Sequence, residues 1–272
     1  MMQGPQQESV LKFTLIRNAT VIVETEHVRV LMDPYLAAKG KSGVYGGPVS
    51  LGRSPLVDLP WSAEDVLRGI DAVLLTHIHE DHFDKRAREL VPRSLPVLCA
   101  PPSAAALEAF GFERVVEVDG PVHLADLLIE PTSAAHGPDE VLSRMGHVNG
   151  YLLRQEAGPT VYFASDTILT EEVRSVVENV RPQIIVTNSG GAFTGGTVGP
   201  IIMDARQTVE LAYLAPWAEF IAIHLDATDH GTVSRSSLRE YVQAEHAGIS
   251  NRLHIPHDGQ TYDFSATPWR KI

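Results

Sequence analysis

The chain has a single cysteine, fewer basic than acidic residues, and no apolar run near the ~20 residues that span a bilayer. One cysteine excludes an internal disulfide framework and is compatible with a reducing compartment. Because its apolar runs are short, the sequence predicts no membrane-spanning helix. The 22 Lys and Arg against 34 Asp and Glu give a formal net charge of −12. This charge argues against broad nucleic-acid binding, which depends on a basic surface.

The beginning of the chain and its length bear on location and domain organisation. Residues 1–9 contain neither the basic nor the apolar segment of a secretory signal, so we expect a cytoplasmic protein. With 272 residues, 44% of them hydrophobic, the chain is long enough for one large domain with a substantial core. We expect a single domain over residues 1–272, with 1–10 as a flexible N-terminal tail. The sequence does not decide between a monomer and a homo-oligomer.

Short apolar runs and helical patterns alternate along the chain, without a fixed-period repeat or a low-complexity linker. Ser62 and Asp84 are residue types that begin helices. Periodicity alone does not distinguish two packed sheets covered by helices from one doubly wound sheet. The apolar runs predict strands near 11–17, 20–25, 28–32, 72–76, 96–99, 114–118, 125–130, 150–154, 160–164, 183–188, 219–224 and 252–255. The helical patterns fall near 62–69, 84–91, 103–110, 170–180, 204–214 and 235–247.

The most informative segment is His77-Ile78-His79-Glu80-Asp81-His82, which follows the apolar run over residues 72–76. So many metal-competent side chains in six positions indicate a cation, because burying them together without one would cost desolvation and gain little. An extended chain would place His77, His79 and Asp81 on one side. A turn at Asp81 would instead send two imidazoles to one ion, and Asp81 with His82 to a second. The alternative, a set of surface histidines in a loop, is disfavoured because the segment lies between a strand and a helix.

Three later apolar runs each end near one ionisable group. Residues 127–130 lead to His136, residues 161–165 end at Asp166, and residues 220–223 end at His224. Any one of these alone is more often an ordinary loop residue. Their succession behind the first cluster favours a set of ligands collected along one edge of a sheet.

Together these residues resemble the metallo-β-lactamase superfamily. The resemblance runs from about Leu11 to Phe264 and rests on the H-x-H-x-D-H segment, His136, Asp166 within Phe-Ala-Ser-Asp-Thr, and His224. It implies an αββα four-layer sandwich in which two mixed β-sheets are flanked by helices. It also implies a dinuclear metal site. The implied ligands are His77, His79 and His136 for the first ion, Asp81, His82 and His224 for the second, and Asp166 as the bridge.

One branch of the superfamily is most similar. The turn that contains Asp33 and the segment 200–204 resemble ascorbate-6-phosphate lactonase-like enzymes and relatives of the N-acylphosphatidylethanolamine-hydrolysing phospholipase D. Two departures matter. No glycine follows His82 closely, which weakens a link to true β-lactamases, and a histidine at position 79 disfavours a flavodiiron site, which needs a carboxylate there.

The resemblance implies a metal-dependent hydrolase in which hydroxide held between two metal ions attacks a small substrate. Asp81 would orient that nucleophile and Asp166 would hold the ions together. The nitrogen and oxygen ligands favour zinc, with manganese or iron as alternatives. The bond would be a lactone, ester, amide or phosphodiester, with lactonase-like chemistry slightly favoured. A phosphodiesterase or nuclease, and a non-catalytic metal-stabilised binding protein, remain alternatives.

Substrate contacts are predicted from irregular segments. The loop over residues 35–61 is long enough to be functional, and its cations Lys39, Lys41 and Arg53 would meet an anionic substrate if the loop is a lid or wall. A solvated surface loop is an equal alternative. His230 is a further candidate substrate contact, although a plain turn residue is the simpler interpretation. Asp33 is predicted to orient a ligand imidazole through a hydrogen bond. The glycines within 188–196 are more often turn and packing residues than an anion site.

Overall fold

The structure is a computed structural model that describes residues 11–46, 51–156, 158–195, 199–264 and 270–271. The predicted flexible tail over 1–10 lies outside these residues, as does Gly196 of the glycine-rich segment. The strands are β1 (Lys12–Arg17), β2 (Thr20–Glu24), β3 (Arg29–Met32), β4 (Ala72–Leu74), β5 (Val97–Cys99), β6 (Val115–Glu117), β7 (Val122–Leu124), β8 (Leu127–Ser133), β9 (Asn149–Arg154), β10 (Val161–Phe163), β11 (Ile184–Asn188), β12 (Glu219–Ile223), β13 (Leu253–His254), β14 (Thr261–Asp263) and β15 (Arg270–Lys271).

These strands form two mixed sheets within the described ranges. The first has the order β15-β14-β1-β2-β3-β4-β5-β6 and the second β13-β12-β11-β10-β9-β8-β7. In the first sheet β1, β2 and β3 pair antiparallel, whereas β3, β4, β5 and β6 are parallel. In the second sheet β10 to β13 are parallel, and each of β7, β8 and β9 pairs antiparallel with the strand that follows it.

Helices cover the outer faces of both sheets. The helix starts predicted at Ser62 and Asp84 are confirmed, since each side chain accepts a hydrogen bond from the backbone amide three residues on. A 3-10 turn over Ala247–Ile249 follows the last helix. The helices are α1 (Ala63–Val66), α2 (Lys85–Leu90), α3 (Pro101–Ala109), α4 (Asp139–Met145), α5 (Glu171–Val180), α6 (Ala205–Leu214) and α7 (Arg235–Glu245).

The core consists of three apolar layers that follow from the alternation of side chains along the strands. Ala72 and Leu74 of β4 face the second sheet, while Val73 between them faces α1, α2 and α3. In β12, Ile221 faces the first sheet and Phe220 packs under α5, α6 and α7. Both strands are therefore buried on both faces, and the predicted αββα sandwich is confirmed.

Four elements were not predicted from the sequence. Helix α4 has seven residues with one fully buried side chain, Val141, so it has no periodic apolar face to detect. Strands β7, β14 and β15 have three residues or fewer. Cys99 is buried in β5, and burial raises the pKa of its thiol to about 12. Within the described residues, every helix is too short or too polar to cross a membrane.

Candidate metal centre

The predicted ligands lie at one edge of the sandwich, where strands of both sheets end. β4 leads into the His77–His82 segment, and β8, β10 and β12 lead to His136, Asp166 and His224. The last three strands run in one direction, because β9 is antiparallel to β8 and β10, and β11 is parallel to β10 and β12. Their carboxyl ends therefore deliver three separate residues to the same place.

The His77–His82 segment is a turn and not an extended strand. The carbonyl oxygen of His79 accepts hydrogen bonds from the backbone amides of His82 at 2.9 Å and Phe83 at 2.8 Å. The chain therefore reverses direction directly after His79. Of the two arrangements that the sequence allowed, this is the one that separates the first two histidines from Asp81 and His82.

The ligand atoms form three overlapping groups, and within each group all atoms lie within 4.8 Å of one another. The first and third groups are the two ligand sets implied by the superfamily resemblance, and the second joins them through Asp166. The groups are His77, His79 and His136; His77, His82 and Asp166; and Asp81, His82 and His224.

Asp166 lies between the two sets. Its Oδ2 is 3.1 Å from Nε2 of His82, 3.4 Å from Nε2 of His136 and 3.8 Å from Nε2 of His77. Its Oδ1 is 3.8 Å from Nε2 of His224. Oδ2 thus faces histidines of both groups and Oδ1 faces His224 of the second, so one carboxylate lies where a bridging ligand would.

Backbone carbonyls and neighbouring side chains orient the ligand rings. His136 Nδ1 donates a hydrogen bond to the carbonyl oxygen of Ile201 at 2.9 Å, which leaves Nε2 directed at Asp166. His77 Nε2 and His79 Nδ1 are 3.0 Å apart and face the same point. His224 Nε2 lies 3.3 Å from Oδ2 of Asp81.

Asp33 occupies the position predicted for a residue that orients a ligand. His82 Nδ1 donates a hydrogen bond to its Oδ2 at 2.9 Å, so Nε2 of the same ring points to Asp166. Thr76 fixes Asp33 in turn, through its backbone amide at 2.8 Å and its hydroxyl at 2.7 Å. Such carboxylate–histidine pairs set the tautomer and direction of a metal ligand.

Two asparagines that the sequence analysis did not assign to the site hold it from behind. The side-chain amide of Asn18 donates to the backbone carbonyl oxygen of Asp81 at 3.0 Å. The backbone carbonyl oxygen of Asn18 accepts the backbone amide of His224 at 2.9 Å. Asn188 donates to Oδ1 of Asp166 at 2.6 Å. Asn188 ends β11 at the same sheet edge as the ligands, a signal that could have identified it. Asn18 is 63 positions from Asp81, and no local pattern connects the two.

The backbone around the site adopts positive φ angles at residues other than glycine. Asn18, Asp33, Ser165 and His224 have φ values of 58°, 43°, 64° and 60°. Each such residue costs of the order of 1–3 kcal/mol and persists where the surroundings enforce it. Their concentration beside the ligands indicates that the fold holds these side chains in a fixed geometry.

The electrostatics of the site leave several imidazoles neutral. Burial lowers the pKa of His77, His79 and His136, so their lone pairs are available at neutral pH. Burial also acts to lower the pKa of His82, but Asp166 and Asp33 on either side of the ring raise it well above its usual value. With Nδ1 donating to Asp33, the additional proton would lie on Nε2, facing Asp166, where a bound cation would replace it.

The residues fit a pair of divalent cations by their chemistry. Neither ring nitrogen of His224 makes a hydrogen bond with the described residues, although both are buried. For Asp81 and Asp166, burial acts to raise the pKa, but the surrounding histidines lower it, and both carboxyls are ionised. Neutral imidazoles and ionised carboxylates aimed at common points are the donor set of zinc and related metals.

A cavity of about 250 Å³ opens onto these ligands. His230, a predicted substrate contact, lines this cavity. Tyr45, Met145 and Thr194 line it as well, and these three were not predicted to contact a substrate. Burial lowers the pKa of His230, and its Nδ1 has no hydrogen-bond partner among the described residues. The Tyr45 ring packs against His230 with centroids 5.6 Å apart.

The loop over residues 35–61 contributes to this cavity and to a second one. Asp229 anchors the loop, because it accepts the backbone amide of Tyr45 at 3.0 Å and the Ser54 hydroxyl at 2.7 Å. Lys41 and Arg53 line the second, neighbouring cavity and not the one at the ligands. Lys39, the third cation of the predicted substrate contact, lines neither.

The glycine-rich segment after β11 serves close packing at Gly190. A Cβ atom at this position would lie 2.3 Å from the carbonyl oxygen of His224, which no real side chain tolerates. The absence of a side chain lets this segment pass directly against a predicted ligand. Thr194, further along, reaches the cavity wall.

Known proteins share both the sequence pattern and the fold. A profile of the beta-lactamase superfamily domain matches residues 28–225. The UPF0173 protein YddR of Bacillus subtilis is 32% identical over 93% of this chain and 100% of its own length. A UPF0173 metal-dependent hydrolase of Koribacter versatilis is 27% identical over 86% of this chain and 92% of its own.

Two solved structures are similar over almost their entire length. A possible metal-dependent hydrolase from Veillonella parvula has a TM-score of 0.87 and 30% identity, covering 93% of this chain and 98% of its own. An isothiocyanate hydrolase from Delia radicum gut bacteria has a TM-score of 0.85 and 32% identity, covering 92% of this chain and 98% of its own.

Proposed function

The chain belongs to the beta-lactamase superfamily and is a metal-dependent hydrolase, and from that premise we propose that it binds two divalent metal ions and hydrolyses a small molecule at an electrophilic carbon. The observation that carries the proposal is the position of Asp166, whose single carboxylate faces histidines of both groups. A site for one structural ion would not need the second group of ligands, Asp81, His82 and His224.

His77, His79 and His136 would hold one ion, and Asp81, His82 and His224 the other, with Asp166 shared between them. When bound, the two ions would lower the pKa of a bound water to about 7 and would polarise the bond under attack. Zinc is our first choice for both positions, with manganese or iron as alternatives, because nitrogen and oxygen donors accept all three.

The protein's own groups position the reactants. Asp81 is ionised and lines the cavity, so its carboxylate is placed to orient the attacking water. His230 and Tyr45 form the wall beside Asp81 and contact the substrate. A neutral His230 presents one N–H group, which gives a hydrogen bond to a leaving atom or a substrate oxygen.

Two substrate classes follow from the comparisons and the sequence. A lactone, or a related ester or amide, is the first candidate, and it rests on the lactonase-like branch resemblance. An isothiocyanate is the second, because the similar enzyme from Delia radicum gut bacteria carries that name. Water would add to the central carbon of R–N=C=S, and the C–N bond would break to give the amine and carbonyl sulfide. Nucleic-acid substrates are disfavoured by the net charge of −12, because their binding depends on a basic surface. We expect a cytoplasmic protein that works without a nucleic-acid partner.

The test combines metal analysis with a substrate panel on the full chain. Protein purified without chelators should contain about two metal ions per chain by mass spectrometry. It should hydrolyse at least one lactone, ester, amide or isothiocyanate in a panel that also contains phosphodiesters. Chelation should abolish turnover, and zinc or manganese should restore it.

Other outcomes overturn specific parts of the proposal. Fewer than two ions per chain after reconstitution would contradict the dinuclear site. Turnover of phosphodiesters alone would replace the carbon electrophile with phosphorus. Two ions without turnover of any panel member would favour a metal-stabilised binding protein.

A further inference from the structure

Next to the metal centre lies a larger cavity of about 830 Å³, and Glu80 lines both. Glu80 follows the ligand His79 directly, so the two cavities adjoin at the His77–His82 turn. Arg88 of α2 holds the Glu80 carboxylate in an ion pair, and Arg88 itself donates to the carbonyl oxygen of Phe83 at 3.0 Å. The residue shared by the two cavities is thus fixed and neutralised.

The two cavities differ in volume and therefore suit different parts of a substrate. At the ~30 Å³ that one water molecule occupies in the liquid, the cavity of about 250 Å³ at the ligands holds roughly eight non-hydrogen atoms. That is room for a reactive group and the attacking water. The neighbouring cavity of about 830 Å³ is in the range of sites that enclose a whole small ligand. A substrate larger than its reactive group must extend out of the smaller cavity.

The inner wall of the larger cavity is apolar. Leu36 and Ala37 are buried in this wall, and Leu59 packs against the cluster under α1 and α2. Trp61 lines the same cavity with 45% of its surface exposed, which is unusual for so large an apolar side chain. A ligand with an apolar chain would cover this indole and release the water that now contacts it.

The rim of the cavity has two cations without a carboxylate partner. Neither Lys41 nor Arg53 forms an ion pair with a described residue, although Arg53 donates to the carbonyl oxygen of Ser42 at 2.5 Å. The acidic residues of the same lining are mostly engaged. Glu64 pairs with Arg86, Glu89 with Lys85 and Arg86, Glu80 with Arg88, and Asp84 accepts the amides of Leu36, Ala37 and Ala87.

We propose that this larger cavity binds the part of the substrate that is not hydrolysed, and that this part is an apolar chain ending in an anionic group. Trp61 contacts the chain and Lys41 attracts the anion. The inference rests on the proposed function for its reactive group, but the cavity and its lining exist independently of the reaction. Of the three cations predicted to contact the substrate, Lys41 and Arg53 line this cavity and Lys39 does not.

The first experiment measures binding without turnover. Heptanoate and its neutral counterpart heptanol are titrated into the metal-loaded full chain by calorimetry. Heptanoate should bind more tightly than heptanol. Lys41→Gln should weaken heptanoate by about threefold, the size of an exposed charge pair, and leave heptanol unchanged. Trp61→Ala should weaken both by about tenfold, because it removes the apolar contact that the two probes share.

The matched control is Lys39→Gln, a change of the same charge on the same loop outside both cavities. It should leave both probes unchanged. Equal effects of Lys39→Gln and Lys41→Gln would show only a general surface potential and would overturn the anion site. Binding of both probes that is insensitive to Trp61→Ala would overturn the assignment of the cavity.

The second experiment uses the reactive group that the substrate panel identifies, attached to a methyl, a hexyl or a 5-carboxypentyl chain. The longer chains should lower KM, the carboxylate most of all. Lys41→Gln should cancel the carboxylate's advantage, whereas Lys39→Gln should keep it. Turnover that ignores chain length would refute the inference while the proposed function stands. If the panel shows no turnover but the two probes bind with the expected sensitivity to Lys41→Gln and Trp61→Ala, the proposed function alone is refuted.

Discussion

The metal centre and the loop over residues 35–61 adjoin, yet they are held in opposite ways. Every predicted ligand follows a strand end, and hydrogen bonds with Asp33, Asn18 and Asn188 hold the ligands or their backbone in place. The described part of the loop contains no strand, and buried Arg17 supports it by donating to three of its backbone carbonyls. The metal centre is built from side chains, whereas the loop is held mainly through its backbone.

This difference suggests separate roles for the two regions: the metal centre for the reaction, and the loop for the choice of substrate. Backbone anchoring leaves the side chains of the loop free to vary, and Lys41, Arg53 and Trp61 point into a cavity instead of into the core. The ligands have less freedom, because hydrogen bonds fix the His82 and His136 rings and the Asp166 carboxylate in place. Changes in the first region should therefore abolish the reaction, and changes in the second should alter which molecule is hydrolysed.

The largest effect is expected from Asp166→Ala, because it removes the carboxylate shared by both ligand groups. Metal ions stabilise the transition state by several kcal/mol, so activity should fall about a thousandfold or more. The metal content should fall from about two ions to one or none per chain. Mass spectrometry of the purified variant measures the content, and the substrate found by the panel measures the activity.

Asp126→Ala is the matched control for that change. Asp126 is also hydrogen-bonded, to Thr25 at 2.6 Å and Gln155 at 2.7 Å, but it lies at the start of β8, and the ligand His136 follows the other end of that strand. It should retain both metal ions. If Asp166→Ala keeps the metal content and turnover of the Asp126 variant, Asp166 does not bridge the ions.

A smaller effect is expected from Asp33→Asn, which keeps the shape but replaces an acceptor oxygen with an amide donor. His82 Nδ1 then faces an N–H group where it now donates at 2.9 Å, and its ring loses the partner that fixes its direction. Changes of this kind typically cost about 10–100-fold in metal affinity. A competitive chelator titration measures the loss, and Asp126→Asn serves as the control. Unchanged affinity in the Asp33 variant would remove it from the support of the site.

The sequence could predict the ligands because each one follows an apolar run, and strand ends at one sheet edge converge in space. The resemblance to the superfamily is confirmed, and so is the sandwich. The second cavity could not be predicted, because it depends on how an irregular loop packs against α1 and α2. Nor could Asn18 be assigned, since its contact with Asp81 joins residues 63 positions apart. Periodic patterns report on regular elements, whereas such contacts depend on the finished fold.

The smallest effect is expected from Gly190→Ala, which tests how closely the metal centre is packed. The added Cβ would lie 2.3 Å from the carbonyl oxygen of His224, so the backbone of one of the two segments must move. Overpacking of this kind costs about 2 kcal/mol, which for a chain of this size lowers Tm by about 4–8 °C. Because the shift occurs at a ligand, the second metal ion should also bind more weakly. Gly248→Ala is the control, since its Cβ would meet no atom within 4 Å. A drop in Tm with metal binding unchanged would show that the strain is absorbed away from His224, and that the ligands are held less rigidly than their contacts imply.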